Sequence, residues 1–340
     1  MQTSPLQVKH RLINVSVIIT LTILFLIGYG VVAHNKNVIS PLQKNISGVT
    51  KETAYLIDKD NSHTIDWIYK NFKQFIPATN NKVPYTLSDE SYWVSITLTN
   101  QSNTQRSITL FTDNFVLKVL NAYSISESNK LSPSLIYQLN DKKLLDSYYP
   151  HIPILLEAKQ QAHFLFHLQS DAAPQMTILL ADQSAFERLT IFTVVLSTVF
   201  VAIVVLMILY NLIIYFAVKD NVYLFYIGYL VSALIVLASI NGFGRYIFPL
   251  ELHLWFNEYT LIFHYLLAIC LILFTLYFLQ YNDYKSWLYK ASIALCGIMV
   301  IAAVSGLFFS HVIQAKIFFS LQAIFYFYFK ILHRLIHLYL

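Results

Sequence analysis

LTIFTVVLSTVFVAIVVLMILYNLIIYFAVKDNVYLFYIGYLVSALIVLASI, residues 189–240, is an apolar run broken once, at Lys219-Asp220-Asn221. About 20 residues at 1.5 Å each cross a hydrocarbon core of roughly 30 Å, so the two halves, 189–218 and 222–240, each reach across. Neither half contains proline, and neither alternates with the period of two that a membrane barrel strand requires. Both read as transmembrane helices. Working toward the C-terminus, the same reading gives 259–281, 288–310 and 317–340, five spans in all over a helical region of 188–340. The composition agrees. Only 12% of the 340 residues are charged and 56% are hydrophobic, against about 25% charged in an ordinary soluble domain. A purely soluble chain and a disordered one are both excluded.

Toward the N-terminus the character changes. Residues 34–187 hold seven of the nine prolines, and short alternating runs appear between polar turns. In YWVSITLT, 92–99, Val94, Ile96 and Leu98 fall on one face and Trp93, Ser95, Thr97 and Thr99 on the other. Further strands are predicted over 107–112, 115–122, 152–157, 163–169 and 176–181. In HFLFHLQ, Phe164, Phe166 and Leu168 alternate with His163, Leu165 and His167. Such spacing predicts a β-sandwich, preceded by one short helix over 64–75. About 150 residues suffice for a single core without disulfides, and Cys270 and Cys296 both lie in apolar runs. Residues 12–33 form another apolar run after Lys9-His10-Arg11. Two readings of 1–33 stand: a signal peptide cut after Ala33, or an uncleaved transmembrane anchor. Both carry residue 34 onward across the membrane. The expected fold is therefore an α+β membrane protein: an N-terminal membrane segment, a sandwich outside, then a polytopic helical bundle.

The charges set the orientation. Residues 34–187 hold 13 Lys/Arg and 14 Asp/Glu; residues 188–340 hold 8 and 4. The positive excess sits at helix ends, which fits the rule that Lys and Arg flank spans on the inner side. The Lys219-Asp220 turn, Lys285, Lys290, Lys330 and Arg334 then lie inside; 241–258, with Glu251 and Glu258, lies outside. Membrane lipids are the expected surroundings, and no basic groove for nucleic acid is present.

Several stretches carry a family resemblance. LYNLIIYFAVKDNVYLFYIGYLVSALIVLASINGFGRYIFP, 209–249, resembles the opening of the membrane region of the bacterial seven-transmembrane receptors with diverse intracellular signalling modules. The resemblance rests on Leu209-Tyr210-Asn211, on Lys219-Asp220 followed by Tyr223-Leu224-Phe225-Tyr226, and on Gly242 and Pro249. Upstream, AYLIDKDNSHTIDWI (54–68), SYWVSITLTNQS (91–102) and PHIPILLEAKQQAHFLFHLQS (150–170) resemble that family's periplasmic sensor domain. The resemblance implies a jelly-roll-like sandwich related to carbohydrate-binding modules, seven helices and a cytoplasmic output module in a bacterial inner membrane. Five spans are fewer than seven. The expectation is thus a truncated membrane region whose missing output would pass to a separate cytoplasmic signalling protein.

Candidate site residues follow from chemistry. Trp93, His163 and His167 share the outer sandwich face, where a ring can stack on a sugar while polar neighbours hydrogen-bond it; the bland alternative is a wet or covered face. Glu258 and His264 sit at the outer end of the third span, where ionisable groups are ligand candidates, although six residues place them on different helix faces. Asn211 is a helix-packing candidate, bonding a neighbouring helix. His333 and His337 have a zinc-like spacing but no third ligand. The aromatics at 223, 226, 229, 255, 259, 281, 284 and 287 read as interfacial belts. The close glycine pair Gly242-Phe243-Gly244 falls in an outer loop, and no P-loop, nucleophile elbow or kinase signature is present, so no catalytic residue, metal or cofactor is expected and the chain reads as no enzyme. The function read from sequence is a sensory receptor whose periplasmic sandwich senses a ligand, with carbohydrate as the implied class. The alternative is a membrane-anchored envelope- or glycan-binding protein without signalling.

Overall fold

The computed structural model describes residues 49–79, 83, 90–112, 119–125, 133–138, 148–169, 178–278, 287–309, 312–322, 324 and 328. The strands are β1 (Val49–Asp58), β2 (Ile76–Pro77), β3 (Ser91–Asn100), β4 (Arg106–Phe111), β5 (Val119–Ile125), β6 (Ser134–Gln138), β7 (His151–Leu156), β8 (Gln161–Gln169) and β9 (Leu179–Asp182). They build a six-stranded sheet in the order β2-β1-β3-β8-β5-β6 and a three-stranded sheet in the order β7-β4-β9. Every pairing is antiparallel. Val94, Ile96 and Leu98 of β3 and Phe164, Phe166 and Leu168 of β8 meet Ile108 and Leu110 of β4, Leu156 of β7 and Leu180 of β9 in one core. A sandwich results because each sheet hides its apolar face against the other.

The alternation over 92–99 and 163–169 places both strands and their faces correctly. The strand expected at 115–122 is found at Val119–Ile125, and the one expected at 176–181 at Leu179–Asp182. Strands β1 and β6 carry weaker patterns. In β1 the inward positions are Val49, Lys51, Thr53, Tyr55 and Ile57, so two polar residues interrupt the apolar row. Strand β6 is a five-residue edge on which only Tyr137 is buried. The helix expected over 64–75 is shorter. It is α1 (Ile65–Lys70), capped by Thr64 Oγ1 accepting from Trp67 N. Asn71 ends it by donating its side chain to Trp67 O, and a 3₁₀ turn, Phe72–Gln74, follows.

Strand β9 runs straight into α2 (Gln183–Val218), with no linker between them. The helix starts six residues before the apolar run at 189, so the expected domain limit at 187/188 falls inside it. Its 36 residues measure about 54 Å, more than the hydrocarbon core of roughly 30 Å. It ends at Lys219, whose φ of 53° is left-handed. Asp220 then caps α3 (Asn221–Ile240) by accepting from Val222 N. The outer segment 241–258 holds two short helices, α4 (Gly244–Ile247) and α5 (Leu250–Glu258), before α6 (Thr260–Phe278) and α7 (Trp287–Ser305). A further helical stretch covers 312–322.

Among the described residues, α2, α3 and α6 are long and apolar enough to cross a membrane, and Tyr289–Ser305 is a shorter apolar helix. The span expected at 288–310 ends early, at Ser305, in a turn through Gly306. The span expected at 317–340 begins earlier, at 312, and lies mostly outside the described residues. Helices α3 and α6 approach closely at Gly228, where a Cβ would stand 2.9 Å from Cys270 Sγ. Tyr226 is not an interfacial ring. It is buried in the helix core against Phe274, ring centroids 5.3 Å apart.

Candidate functional site

The outward face of the six-stranded sheet can be read in rows. Strand register places Leu56, Trp93, His167 and Asn121 in one row, Ala54, Ser95, Leu165 and Tyr123 in the next, and Glu52, Thr97, His163 and Ile125 in a third. This brings Trp93, His163 and His167 onto one face, as their alternation requires. Trp93, however, is only 2% exposed. Its ring stacks on His167 at 4.3 Å and 12°, and on Tyr123 at 6.2 Å. Helix α1 lies over it: Ile68 is fully buried with Trp93 and Leu165, and Ile65, Trp67, Phe72 and Phe75 close the cluster. Strand alternation assigns a face but does not tell what covers it.

What stays half-exposed is the polar flank. His163 meets Thr97 Oγ1 at 2.9 Å, with Asn121 and Tyr123 in the adjoining strand and Glu52 exposed at the margin. Burial raises the Tyr123 phenol above its ordinary value, and its bond with Asn121 partly offsets that. Burial also lowers the His167 imidazole, with the Asp58 charge pulling the other way. Asp58 closes the turn into α1. It accepts from Ser62 N at 3.3 Å, His63 N at 3.0 Å and the His63 ring at 2.6 Å. Burial opposes its charge, yet these bonds outweigh it and hold the carboxyl below its ordinary value. His63 in turn packs against Trp67, ring centroids 3.9 Å apart and planes tilted by 54°.

A second feature is the joint between sandwich and helices. Phe111 of β4, Tyr148 and Tyr149 before β7, and Leu179 and Ala181 of β9 share one core with Phe186, Leu189, Phe200 and Val204 of α2, Val222, Tyr226 and Leu230 of α3, and Phe274 of α6. Polar bonds pin it. The Tyr148 hydroxyl donates to Asn241 O at 2.6 Å and accepts from Ser197 Oγ at 3.3 Å. Tyr149 donates to Thr193 Oγ1 at 3.1 Å, because Thr193 spends its own proton on Leu189 O. Thr109 Oγ1 donates to Gln183 Oε1, and the His151 ring stacks on Phe186 at 4.8 Å. Burial pushes the Tyr148 phenol up to about 12, so it stays a donor at any physiological pH. Nothing in the periodicity of SYYP marks these tyrosines; two aromatics directly before a proline turn are the one signal.

The other expected residues are not drawn together. Glu258 ends α5 exposed to solvent. His264 lies in α6, donating Nδ1 to Thr260 O at 2.9 Å with its ring edge-on to Phe318. Asn211 is buried, at 4% exposure, but it donates to Met207 O of its own helix at 2.7 Å. The expected bond to a neighbouring helix gives way to this local one, because a carbonyl four residues back is always within reach. His333 and His337 lie outside the described residues, and no cluster of three metal-ligating side chains occurs among those described. His253, absent from the expectations, is buried in α5 with its Nδ1 against Gly244, where a Cβ would stand 2.6 Å away. Burial, helped by Arg245, lowers it to about 4.

Comparison with known families follows this division of the chain. Residues 50–182, all nine strands, match the family of extracellular domains described as 7TMR-DISM extracellular 2. Residues 194–337 match the membrane region described as 7TM diverse intracellular signalling. No curated protein matches significantly. Among solved structures, the enzymatically active domain of tailspike protein 4 of bacteriophage CBA120 shares 9% identity over 42% of this chain. This chain spans a fifth of that structure's length, and with a TM-score of 0.14 the likeness carries no argument.

Proposed function

The chain belongs to the seven-transmembrane receptors with diverse intracellular signalling, and we propose that it works as a receptor of a bacterial inner membrane that senses a carbohydrate in the periplasm. It is a membrane protein with an extracellular sensor domain. The observation that carries the receptor reading is the continuous core at the joint. The three-stranded sheet, α2, α3 and α6 share buried side chains, and β9 enters α2 without a linker. A mere anchor needs no such joint. A ligand shifts the helices only if it binds two arrangements of the sandwich unequally, and rigid packing of the last strand against α2 gives that difference a path to the inner helix ends. From there the signal passes to a cytoplasmic signalling protein. Receptor rather than enzyme is the reading, since the outward face offers recognition groups: a ring at Tyr123 and polar side chains at Asn121, Thr97 and His163.

The carbohydrate reading rests on the half-exposed flank. Tyr123 offers a ring, while Asn121, His163, Thr97 and Glu52 offer donors and acceptors, the mix that sugar recognition uses. A glycan array probed with the full chain in detergent tests it. An oligosaccharide should be retained, and Tyr123→Ala or Asn121→Ala should weaken retention about tenfold, the equivalent of 1.4 kcal/mol. No retained glycan, or retention indifferent to both substitutions, overturns it. Adding the retained glycan should also change amide exchange at the Lys219–Asp220 turn. Unchanged exchange there favours the anchored glycan-binding protein over the receptor.

A further inference from the structure

Lys51 is an anomaly in β1. It lies opposite Leu98, and Thr53 lies opposite Ile96. Leu98 and Ile96 both belong to the core between the sheets, and directly opposed residues share a face. Both polar side chains therefore point into the sandwich. Lys51 Nζ donates to Ile178 O at 2.5 Å, the carbonyl immediately before β9. Thr53 is 8% exposed, and its hydroxyl is buried with no hydrogen-bond partner among the described residues. A buried hydroxyl without a partner carries a real cost and asks for an explanation.

We propose that Lys51 is a carbon dioxide-reactive amine, carbamylated inside the sandwich with the Thr53 hydroxyl holding the carbamate. Burial lowers the ammonium to about 8, which at neutral pH leaves roughly 300-fold more neutral amine than an ordinary lysine has. The neutral amine is the reactive form. Its lone pair attacks the carbon of carbon dioxide, a C–N bond forms, and one C=O π pair moves onto oxygen. The nitrogen then gives up one proton to water, so that amine plus carbon dioxide yields carbamate plus a proton, with no oxidant or reductant. The remaining N–H keeps the bond to Ile178 O, and a carbamate oxygen accepts from Thr53 Oγ1. Lys51 is half-buried beside the core, and carbon dioxide, linear, uncharged and three atoms long, reaches such an amine without displacing the packed side chains around it. The modification replaces a cation by an anion beside the residue that leads into β9 and so into α2. The chemistry at Lys51 stands whether or not the receptor reading does.

The test uses the full chain in detergent, incubated with ¹³C-bicarbonate and trapped with triethyloxonium, followed by peptide mass spectrometry. The expected result is a labelled ethyl carbamate on Lys51 that saturates with bicarbonate, while Lys59, Lys70 and Lys73 stay at background. Thr53→Val should lower the Lys51 label several-fold. Lys51→Met should remove the carbamate resonance from the ¹³C spectrum of the intact protein. Lys51 labelled no more than Lys59, or a resonance that persists in Lys51→Met, overturns the proposal. Labelling indifferent to Thr53→Val overturns the role of that hydroxyl. Because the label is localised by peptide in the unaltered chain, the outcome does not depend on either variant folding.

Discussion

Removing one oxygen at the joint between sandwich and bundle is the sharpest perturbation available. Tyr148→Phe keeps the ring against Tyr149, at 5.0 Å, and against Tyr246, at 6.1 Å, and deletes only the hydroxyl. That hydroxyl holds Asn241 O at 2.6 Å and Ser197 Oγ at 3.3 Å, from a side chain 2% exposed. Leaving a buried acceptor unsatisfied costs about 1–3 kcal/mol. Ser197 sits on a membrane helix and can turn back to its own backbone, so the Asn241 carbonyl is the main loss, and the lower half of that range applies. At 1.4 kcal/mol per tenfold, the open fraction of the joint should rise by about one order of magnitude. Amide exchange reads this directly. Asn241 N bonds Leu237 O and Gly242 N bonds Ser239 O, and both should exchange about tenfold faster in the variant, while amides in the centre of β3 stay as they were. If Asn241 and Gly242 exchange at the original rate, the tyrosine does not clamp the outer loop and the joint is held by apolar packing alone.

Gly228→Ala should destabilise the bundle by about 1–3 kcal/mol, the range for overpacking, because its Cβ would stand 2.9 Å from Cys270 Sγ. Thermal unfolding in detergent checks it, and Cys270→Ala in the same chain should restore much of the loss. Asn211→Leu should change stability by no more than about 0.6 kcal/mol, since the amide bonds within its own helix; a loss above about 2 kcal/mol would show that it bridges helices. Acid should weaken the sandwich in two stages. His167 and His151 are lowered in the fold, chiefly by burial, so the unfolded chain takes up protons first and stability falls as pH drops below 6.5. His167→Gln should flatten that stage in a denaturant series. Asp58 is also lowered, so its contribution is present above the ordinary 3.8 and lost as pH falls through the folded value; Asp58→Asn should remove this second stage.

How far the sequence discloses this arrangement depends on what each residue contacts. The period of two in β3 and β8 reports a difference between two faces, and both faces are as the pattern implies. It cannot report a third layer, and so Trp93 reads as a ligand platform until α1 is seen lying on it. Strand β1 escapes the same reading because Lys51 and Thr53 occupy inward positions, and the residues that hide the strand are the ones with unusual chemistry. Apolar length marks the helices, but it cannot place their starts. Helix α2 begins at Gln183 because β9 leads directly into it, and Phe186 and Leu189 already pack there. The polar clamp at Tyr148 and Tyr149 joins residues some forty to ninety positions apart, a separation over which no local spacing carries a signal. Asn211 shows the converse: its burial is foreseeable, its partner is not.

The rod-like α2 has a mechanical consequence. It contains neither glycine nor proline, the usual causes of sharp kinks, and its outer end is fused to the sheet without slack. Such a helix behaves as a lever whose short arm is gripped by β4 and β9. Over about 54 Å, at 1.5 Å of rise per residue, a tilt of roughly 5° at the sheet displaces the far end by roughly 5 Å. That is about one helical turn, enough to carry Lys219 and Asp220 past a neighbour by a full ridge of side chains. A sub-ångström rearrangement in the sandwich therefore needs no hinge and no unfolding to be felt on the opposite side of the membrane; stiffness alone provides the gain.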